Sequence, residues 1–577
     1  MNSEIYKSKL GHDLKKFNYK DLIIFLIPFI IFMGYLYVFN PGILSYDSYN
    51  QLYQIATSHY SNWHPFFHTF IEMLCLKIYP SPISVGILQI IVFSLMWTII
   101  CNYVRNNQKN KNLVSDNQFI FQVIITVFLS VIPLNPFYSI TLWKDILFSY
   151  CILFLCFLVY VMLENHGDVD NFFVLILSLT MAFTCQLRLN GYFTVVILLI
   201  LFVIYFYKKD TVWKLHILIP AVTIIFILLI ASLNIVYEVE DSHHGALIDC
   251  VSHMLVDYDL EIGLDPVDKE KLYQLVDEKY AHSKYKITHK DSSVSKKNVW
   301  EKDKSTYIGM AIGYSLKNPL HFVQYLFKSA PMVWDITRDD DWKGLVYSTN
   351  INNAKAGFYK STGLAPITDY TNASAKNLGT PEYDALTSYV LLFKENDLLN
   401  TLFINPAFYM YLAFIIMAGI YILTRSKNIL FVYLPNMLNI VAIFLTTPAQ
   451  DIRFLYPNFL VFYFLMILLV ANFTKVGSKN ESKKGLSQNS IMNRLTKDDS
   501  SLNEHYDSNK RIVHHPYEIR NDNAVFDETQ ANMMDGTNIQ SSSMSKSGLT
   551  MPKDMEDKII AEIMQELEKQ NLNNEDD

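Results

Sequence analysis

The sequence predicts an all-α polytopic membrane protein with about ten transmembrane helices. Three observations carry this. Hydrophobic residues make up 51% of the 577 residues. They fall in continuous runs of about 18–24 residues, enough to cross a hydrocarbon core of about 30 Å, rather than in the stripes of a soluble helix or strand. Between the runs, Lys and Arg concentrate in alternate loops, as they do on the cytoplasmic side of a membrane.

Ten runs stand out, at roughly 21–39, 84–103, 118–134, 146–163, 171–187, 192–207, 215–236, 406–424, 429–446 and 455–473. The third, fifth and sixth are short or interrupted. The first is preceded by Lys7, Lys9, Lys15, Lys16 and Lys20. Its apolar core is too long for a cleavable signal and no small-residue cleavage site follows it, so it reads as a span. Further basic residues on the same side are Arg105, Lys109 and Lys111, then Lys208, Lys209 and Lys214, then Arg425 and Lys427, then Lys475, Lys479, Lys483 and Lys484. The acidic loop from Asn165 to Asp170 is the exception. This pattern puts both termini in the cytoplasm.

The chain divides into a cytoplasmic N-terminus (1–20), an N-terminal transmembrane module (21–236) with a first outer loop (40–83), a large extracytoplasmic loop region (237–405), C-terminal transmembrane helices (406–473) and a cytoplasmic tail (474–577). The loop region includes "NPLHFVQYLFKSAPMVWDITRDDDW", an amphipathic stretch suited to lying on a membrane surface. The tail is polar, rich in Ser, Asn, Lys and Asp, and has the composition of disorder. Within it, Met555, Ile559, Ile563 and Leu567 fall four apart and give an amphipathic helix over 553–570. It is a surface helix, a coiled-coil seam or a docking element for a cytoplasmic partner. The six cysteines show no disulfide or zinc spacing, and a net charge of -7 implies no nucleic-acid partner.

The chemistry-bearing residues gather in four loops expected on the outer side. "SYDSYNQ" places Asp47 just past the first span, where it either caps a helix beginning near Tyr49 or serves a site. "NWHPFFH" spaces His64 and His68 by four, on one face if helical, with Pro65 in the first turn. Such a pair suits a divalent cation with Asp47 as third ligand, a phosphate, sugar hydroxyls, or plain backbone hydrogen bonds at the interface. "TLWKD" puts Lys144 and Asp145 at the start of the fourth run, with Trp143 as a candidate interfacial anchor. "QLRLNGY" sets Arg188 and Asn190 into an apolar hairpin, and "QDIRFLYP" repeats the pattern with Asp451 and Arg453. Charges near hydrocarbon are expensive and face a cavity or a partner, including an intraprotein ion pair. Their common side is the stronger signal, because scattered structural residues would not choose one face.

Taken in order, "PGILSYDSYNQ", "HPFFHT", "ITLWKD", "RLNGY" and "PAQDIRFLYP" resemble a family of bacterial multi-span membrane proteins assigned to the glycosyltransferase C (GT-C) superfamily, often of unassigned substrate. The resemblance covers about residues 20–473. It implies a GT-C-like fold in a bacterial plasma membrane. It also implies transfer of a sugar from a polyprenyl-phosphate-linked donor to a cell-envelope glycan, glycolipid or protein acceptor at the outer face. Under it, Asp47 is the general base, and Lys144, Arg188 and Arg453 hold the lipid phosphate. Asn190 and Asp451 support that binding set. His64 and His68 position the donor or bind a divalent cation, and Trp63 and Tyr46 are sugar platforms. Asp47 lacks the adjacent acid frequent in that superfamily. Two other classes compete: a polymerase or ligase of lipid-linked oligosaccharides, which needs no first-loop Asp, and a polysaccharide or lipid transporter, which would show repeats and mid-depth polar residues.

Overall fold

The computed structural model describes residues 17–109, 115–207, 214–241, 244–290, 295–337, 350–447 and 449–473. The tail 474–577, with the amphipathic helix expected over 553–570, lies outside the described residues. Among those described, every regular element is helical and only isolated β-bridges occur.

The first half is a set of helical hairpins joined by short connections. Its elements are α1 (Tyr19–Val38), the short outer-loop helices α2 (Tyr46–Thr57) and α3 (Phe66–Ile78), then α4 (Ile83–Lys109), α5 (Ser115–Val131), α6 (Leu134–Ser139), α7 (Lys144–Glu164), α8 (Asn171–Leu187) and α9 (Leu189–Phe206). A π-helical turn, Lys214–Leu218, leads into α10 (Ile219–Val236). The 237–405 region carries α11 (His244–Glu261), α12 (Pro266–Leu275), α13 (Glu278–Lys284), α14 (Lys297–Lys317), α15 (Pro319–Ser329), α16 (Pro331–Trp334), α17 (Ile351–Thr362), α18 (Pro381–Glu395) and α19 (Asp397–Phe403). The chain returns through α20 (Pro406–Thr424), α21 (Asn428–Thr446), a 3-10 turn (Ile452–Leu455) and a last helix over 456–473.

Eight of these helices are long and apolar enough to cross a membrane. The third and fifth runs form helices too, but their apolar parts, Asn117–Val131 and Asn171–Leu187, fall short of that length. The protein is therefore a polytopic α-helical membrane protein, with eight candidate spans among the described residues where the sequence suggests about ten. α7 and the last helix are buried along most of their length, and α10 is the most exposed of the eight.

One end of the bundle is closed by charge. Asp21 in the first turn of α1 pairs with Arg105 of α4, and Arg105 also donates to Gln122 of α5 at 2.8 Å. Asp21 and Arg105 are fully buried. Arg105 is thus an internal partner rather than a loop cation. Such a pair is tolerated because each charge finds its counterpart.

At the opposite end, backbone pairing sets the connections. The Ile43 N–H donates to Ile140 O at 3.0 Å and the Leu142 N–H to Ile43 O at 3.1 Å, a single parallel bridge. Gly42 sits beside it at φ +117°, where a Cβ would stand 3.0 Å from Ile140 O. The α8–α9 hairpin turns on one extended residue, Arg188 (φ -152°, ψ 144°). So tight a reversal needs Gly191, because a Cβ there would lie 2.0 Å from Thr184 O.

The large region has two parts. Residues 248–314 build a core of their own around Leu255, Trp300 and Tyr307. Residues 330–337 and 350–404 pack into the bundle core through Met332, Phe358 and Tyr383. Gln450 fastens this region to the bundle: it donates to Ser329 O (2.9 Å) and Thr288 O (3.2 Å), and accepts from the Met332 N–H (3.2 Å).

Gly191→Ala should overpack the hairpin and cost on the order of 1–3 kcal/mol or more. A fall in the thermal unfolding midpoint of the purified protein in detergent checks this, and an unchanged midpoint would contradict the close approach.

Candidate functional site

The α2 end of the first outer loop is pinned before any charge is placed. Ser45 is the N-cap of α2, in a reciprocal box with Ser48. The Ser48 hydroxyl donates to Leu142 O at 2.8 Å, and the Trp143 indole N–H donates to the Ser45 hydroxyl at 2.7 Å. The "SYDS" and "TLWK" segments are therefore one structural unit. The cap is Ser45, so Asp47 is not the cap of a helix near Tyr49. It stands in the first turn, where the helix dipole favours a carboxylate.

Arg453, in the 3-10 turn, sits at the centre of the site. Its Nη1 lies 2.8 Å from Asp47 Oδ2, and its Nε lies 2.7 Å from Asp451 Oδ2 and 3.8 Å from Asp145 Oδ2. Asp451 also accepts from the Arg453 N–H at 3.1 Å. Arg188 pairs with the other oxygen of Asp145. It also donates to Asn190 Oδ1 at 3.0 Å, and Asn190 donates to Asn439 Oδ1 at 2.6 Å. Aromatic faces complete the seat. Arg453 stacks 4.8 Å from the Trp143 ring, and Arg188 4.6 Å from Phe454. The guanidinium groups are planar and weakly hydrated, so they suit such sandwiching.

Lys144 adds the third cation. Its ammonium donates to His64 Nδ1 at 3.2 Å rather than snorkelling outward. Burial and then Lys144 push His64 well below its ordinary range, so the ring is neutral at neutral pH. The Nδ1 lone pair accepts the lysine N–H, which leaves the ring hydrogen on Nε2, 4.0 Å from Asp47 Oδ1. Three carboxylates (Asp47, Asp145, Asp451) thus face two guanidinia (Arg188, Arg453) and the Lys144 amine. Pairing of this kind is what a site of low dielectric requires.

Asp47 is the member of the trio open to solvent, with its side chain 25% exposed. Burial pushes its carboxyl upward, but Arg453 chiefly, with His64 and Lys144, outweighs that and holds it well below the usual carboxylate range. A depressed pKa stabilises the fold at neutral pH, and this contribution fades only as pH falls below about 4, the unfolded value.

His68 goes elsewhere. Pro65 precedes α3, so His64 lies outside the helix and the two imidazoles do not share a helical face. His68 Nδ1 accepts from Gln51 Nε2 at 3.1 Å, and Gln51 also donates to Thr69 Oγ1 at 2.8 Å. Glu72 is fully buried below it, 3.7 Å from His68 Nδ1, and burial raises its carboxyl well above the usual range. The expected divalent-cation set of Asp47, His64 and His68 does not assemble: an ammonium occupies His64 Nδ1 and His68 is turned to Gln51. Among the described residues no group of three His, Cys, Asp or Glu side chains is placed to hold a metal ion.

The two proposed sugar platforms differ from the rest. Tyr46 is exposed but meets the 350–362 segment, its ring 5.1 Å from Phe358 and its hydroxyl accepting from Ser361 at 3.3 Å. Trp63 is exposed on the loop beside His64. Nearer the charges, the aromatic is Trp143, a buried residue and not an interfacial anchor. Sequence reasoning also passed over Asp145 as a site residue, although it bridges both arginines. Its signal was its adjacency to Lys144. Asn439 lies in the middle of an apolar run and carried no signal beyond being polar there.

The fold and site define a class: a polytopic helical membrane protein with a half-buried cluster of six ionisable groups at one end of its bundle. Comparison with protein-family models, with curated proteins and with solved structures returns no match.

The two buried acids should differ in cost. Asp145→Asn leaves two guanidinia short of a counter-charge and should cost about 3–5 kcal/mol. Glu72→Gln leaves no cation unanswered and should cost less, about 1–3 kcal/mol for the added buried donor. Thermal inactivation of the two variants in detergent tests the contrast.

Proposed function

We propose that the protein is an integral membrane glycosyltransferase of the GT-C type. It transfers a sugar from a polyprenyl-phosphate-linked donor to a cell-envelope glycan, glycolipid or protein acceptor at the outer face of a bacterial plasma membrane. One observation carries the reading: a solvent-reaching carboxylate, Asp47, shares Arg453 with two buried carboxylates, and Lys144 and Arg188 stand in the same cluster. A phosphate entering here meets planar guanidinium donors suited to bidentate contact and a lysine point charge.

The residues then divide the chemistry. The acceptor oxygen forms a bond to the sugar's anomeric carbon while the bond from that carbon to the phosphate oxygen breaks. The electron pair leaves on the lipid phosphate, where Arg453, Arg188 and Lys144 stabilise the added charge. The acceptor's proton passes to Asp47 as general base. In the resting protein Asp47 is a weak base because Arg453 stabilises its ionised form. Engagement of Arg453 by the donor phosphate loosens that pair, so the carboxylate gains basicity when substrate is present. Asp145 and Asp451 keep the arginines in place, and His64 orients Lys144 through its neutral ring.

The test uses the purified chain in nanodiscs, a polyprenyl-phosphate hexose and envelope acceptor material, read by mass spectrometry. Asp47→Asn should lower turnover by about 10²–10⁴-fold, the usual size of a general-base contribution. Turnover at the wild-type rate would remove the base assignment and favour a polymerase or ligase, which needs no acid at this position. The pH profile gives a second check. Arg453→Gln withdraws the main charge that opposes burial at Asp47, so the acid limb of the rate profile should move to higher pH, with a raised KM for donor. An acid limb that stays in place would show that Asp47 is not the titrating base.

A further inference from the structure

One helix near the site end of the bundle leaves apolar surface uncovered. On α15, Leu320, Val323 and Phe327 are 71%, 46% and 46% exposed. Their spacing of three and four puts them on one stripe. Leu316, at the end of α14 just before the Asn318–Pro319 joint, is 76% exposed. The other side of α15 is buried through Tyr325, Leu326 and Ser329. A contiguous apolar stripe of this kind marks an interaction surface.

Its position in the fold says what covers it. Phe327 meets Phe444, in the last turn of α21, with ring centroids 5.1 Å apart. The Tyr411 hydroxyl of α20 donates to Trp334 O at 2.7 Å, and Asn405 Nδ2 donates to Asp335 O at 3.2 Å and Ile336 O at 3.0 Å. The stripe is therefore held level with the ends of two candidate spans. At that height a bilayer passes from hydrocarbon to headgroups. Leu445 and Val441 of α21 are exposed beside it and continue the lipid-facing surface. The flanks carry exposed Lys317 and Lys328, and Trp334 is partly exposed. Lysine flanks, an apolar stripe and a tryptophan at the boundary match a helix lying in the membrane interface.

We propose that α15, with Leu316 and Trp334, is an interfacial helix whose stripe enters the outer headgroup layer and whose lysines contact lipid phosphates. A second copy of the chain is the poorer occupant, because the stripe runs on into the exposed Leu445 and Val441 of α21, which belong to the lipid-facing surface of a candidate span. The helix also reaches the site. Gln450 bonds Ser329 O and the Met332 N–H, and it is the residue before Asp451, which holds Arg453. The lipid surface thereby sets the height of the turn that carries the central cation. This inference rests on the membrane character of the spans and not on sugar transfer.

The full-length wild-type chain in nanodiscs of mixed zwitterionic and anionic phospholipid supplies the test. The probe is a phospholipid with a photoreactive diazirine near its glycerol carbons, and adducts are mapped by peptide mass spectrometry. Adducts on Leu316, Leu320, Val323 and Phe327, at yields like those at the ends of α20 and α21, are expected. The double variant Leu320→Asp, Val323→Asp should lose the α15 adducts severalfold while α21 labels as before. Labelled spans without adducts on 316–327 would overturn the proposal, as would chain-to-chain cross-links through the stripe or a double variant that labels like wild type.

Discussion

Arg453 holds the site end of this protein together, because it is where three carboxylates are answered. A guanidinium 15% exposed would be costly alone, and so would Asp145, which is almost fully buried. Each is tolerated only with the other in place. Since Asp47, Asp145 and Asp451 come from three distant parts of the chain, their pairing with Lys144, Arg188 and Arg453 requires α2, α7, the α8–α9 hairpin and the 3-10 turn to meet at one point. Charge balance in a poorly solvated place thus acts as a restraint on topology.

The same rule closes the other end. Asp21, Arg105 and Gln122 tie α1, α4 and α5 together, and there the trio is sealed from solvent. The contrast between the two ends is informative. One ion pair is closed off from solvent between helices, which suits a structural clasp. The other has a partly exposed carboxylate, Asp47, and an acid, Asp145, set between two arginines, which suits exchange with an incoming anion. Asp47 is the hinge of that difference, the acid that both pairs with Arg453 and faces water.

The large region between α10 and α20 is organised around the same end. Its second part lies over the first outer loop: the Tyr49 hydroxyl donates to Ala373 O at 2.8 Å and Phe358 packs among Tyr46, Tyr49 and Tyr53. Its α15–α16 corner is bonded to Gln450. Residues on either side of the charge cluster are therefore both gripped by this region. A displacement of it would be felt at Asp47 through α2 and at Arg453 through the 3-10 turn.

Much was legible in the sequence because membrane insertion is read from local composition. A run such as 146–163 is apolar whatever surrounds it, and the helix that forms there begins at Lys144 and ends at Glu164. That the unusual polar residues share one end was legible as well, since alternation of spans assigns each loop a side. Asp47, Lys144, Arg188, Asn190 and Arg453 are indeed gathered there. Partnership was not legible. Spacing suggested that His64 and His68 act as a pair, yet Pro65 delays the helix by a residue, so that one ring turns to Lys144 and the other to Gln51. Asp145 looked like the neighbour of a lysine, and only the approach of two arginines from other segments makes it their bridge. The sequence by itself determined the helices and the end at which charge collects, because both follow from the cost of polar groups in hydrocarbon. The tertiary structure alone decided which charge answers which, because Coulomb pairing depends on distances of 3–4 Å between segments hundreds of residues apart.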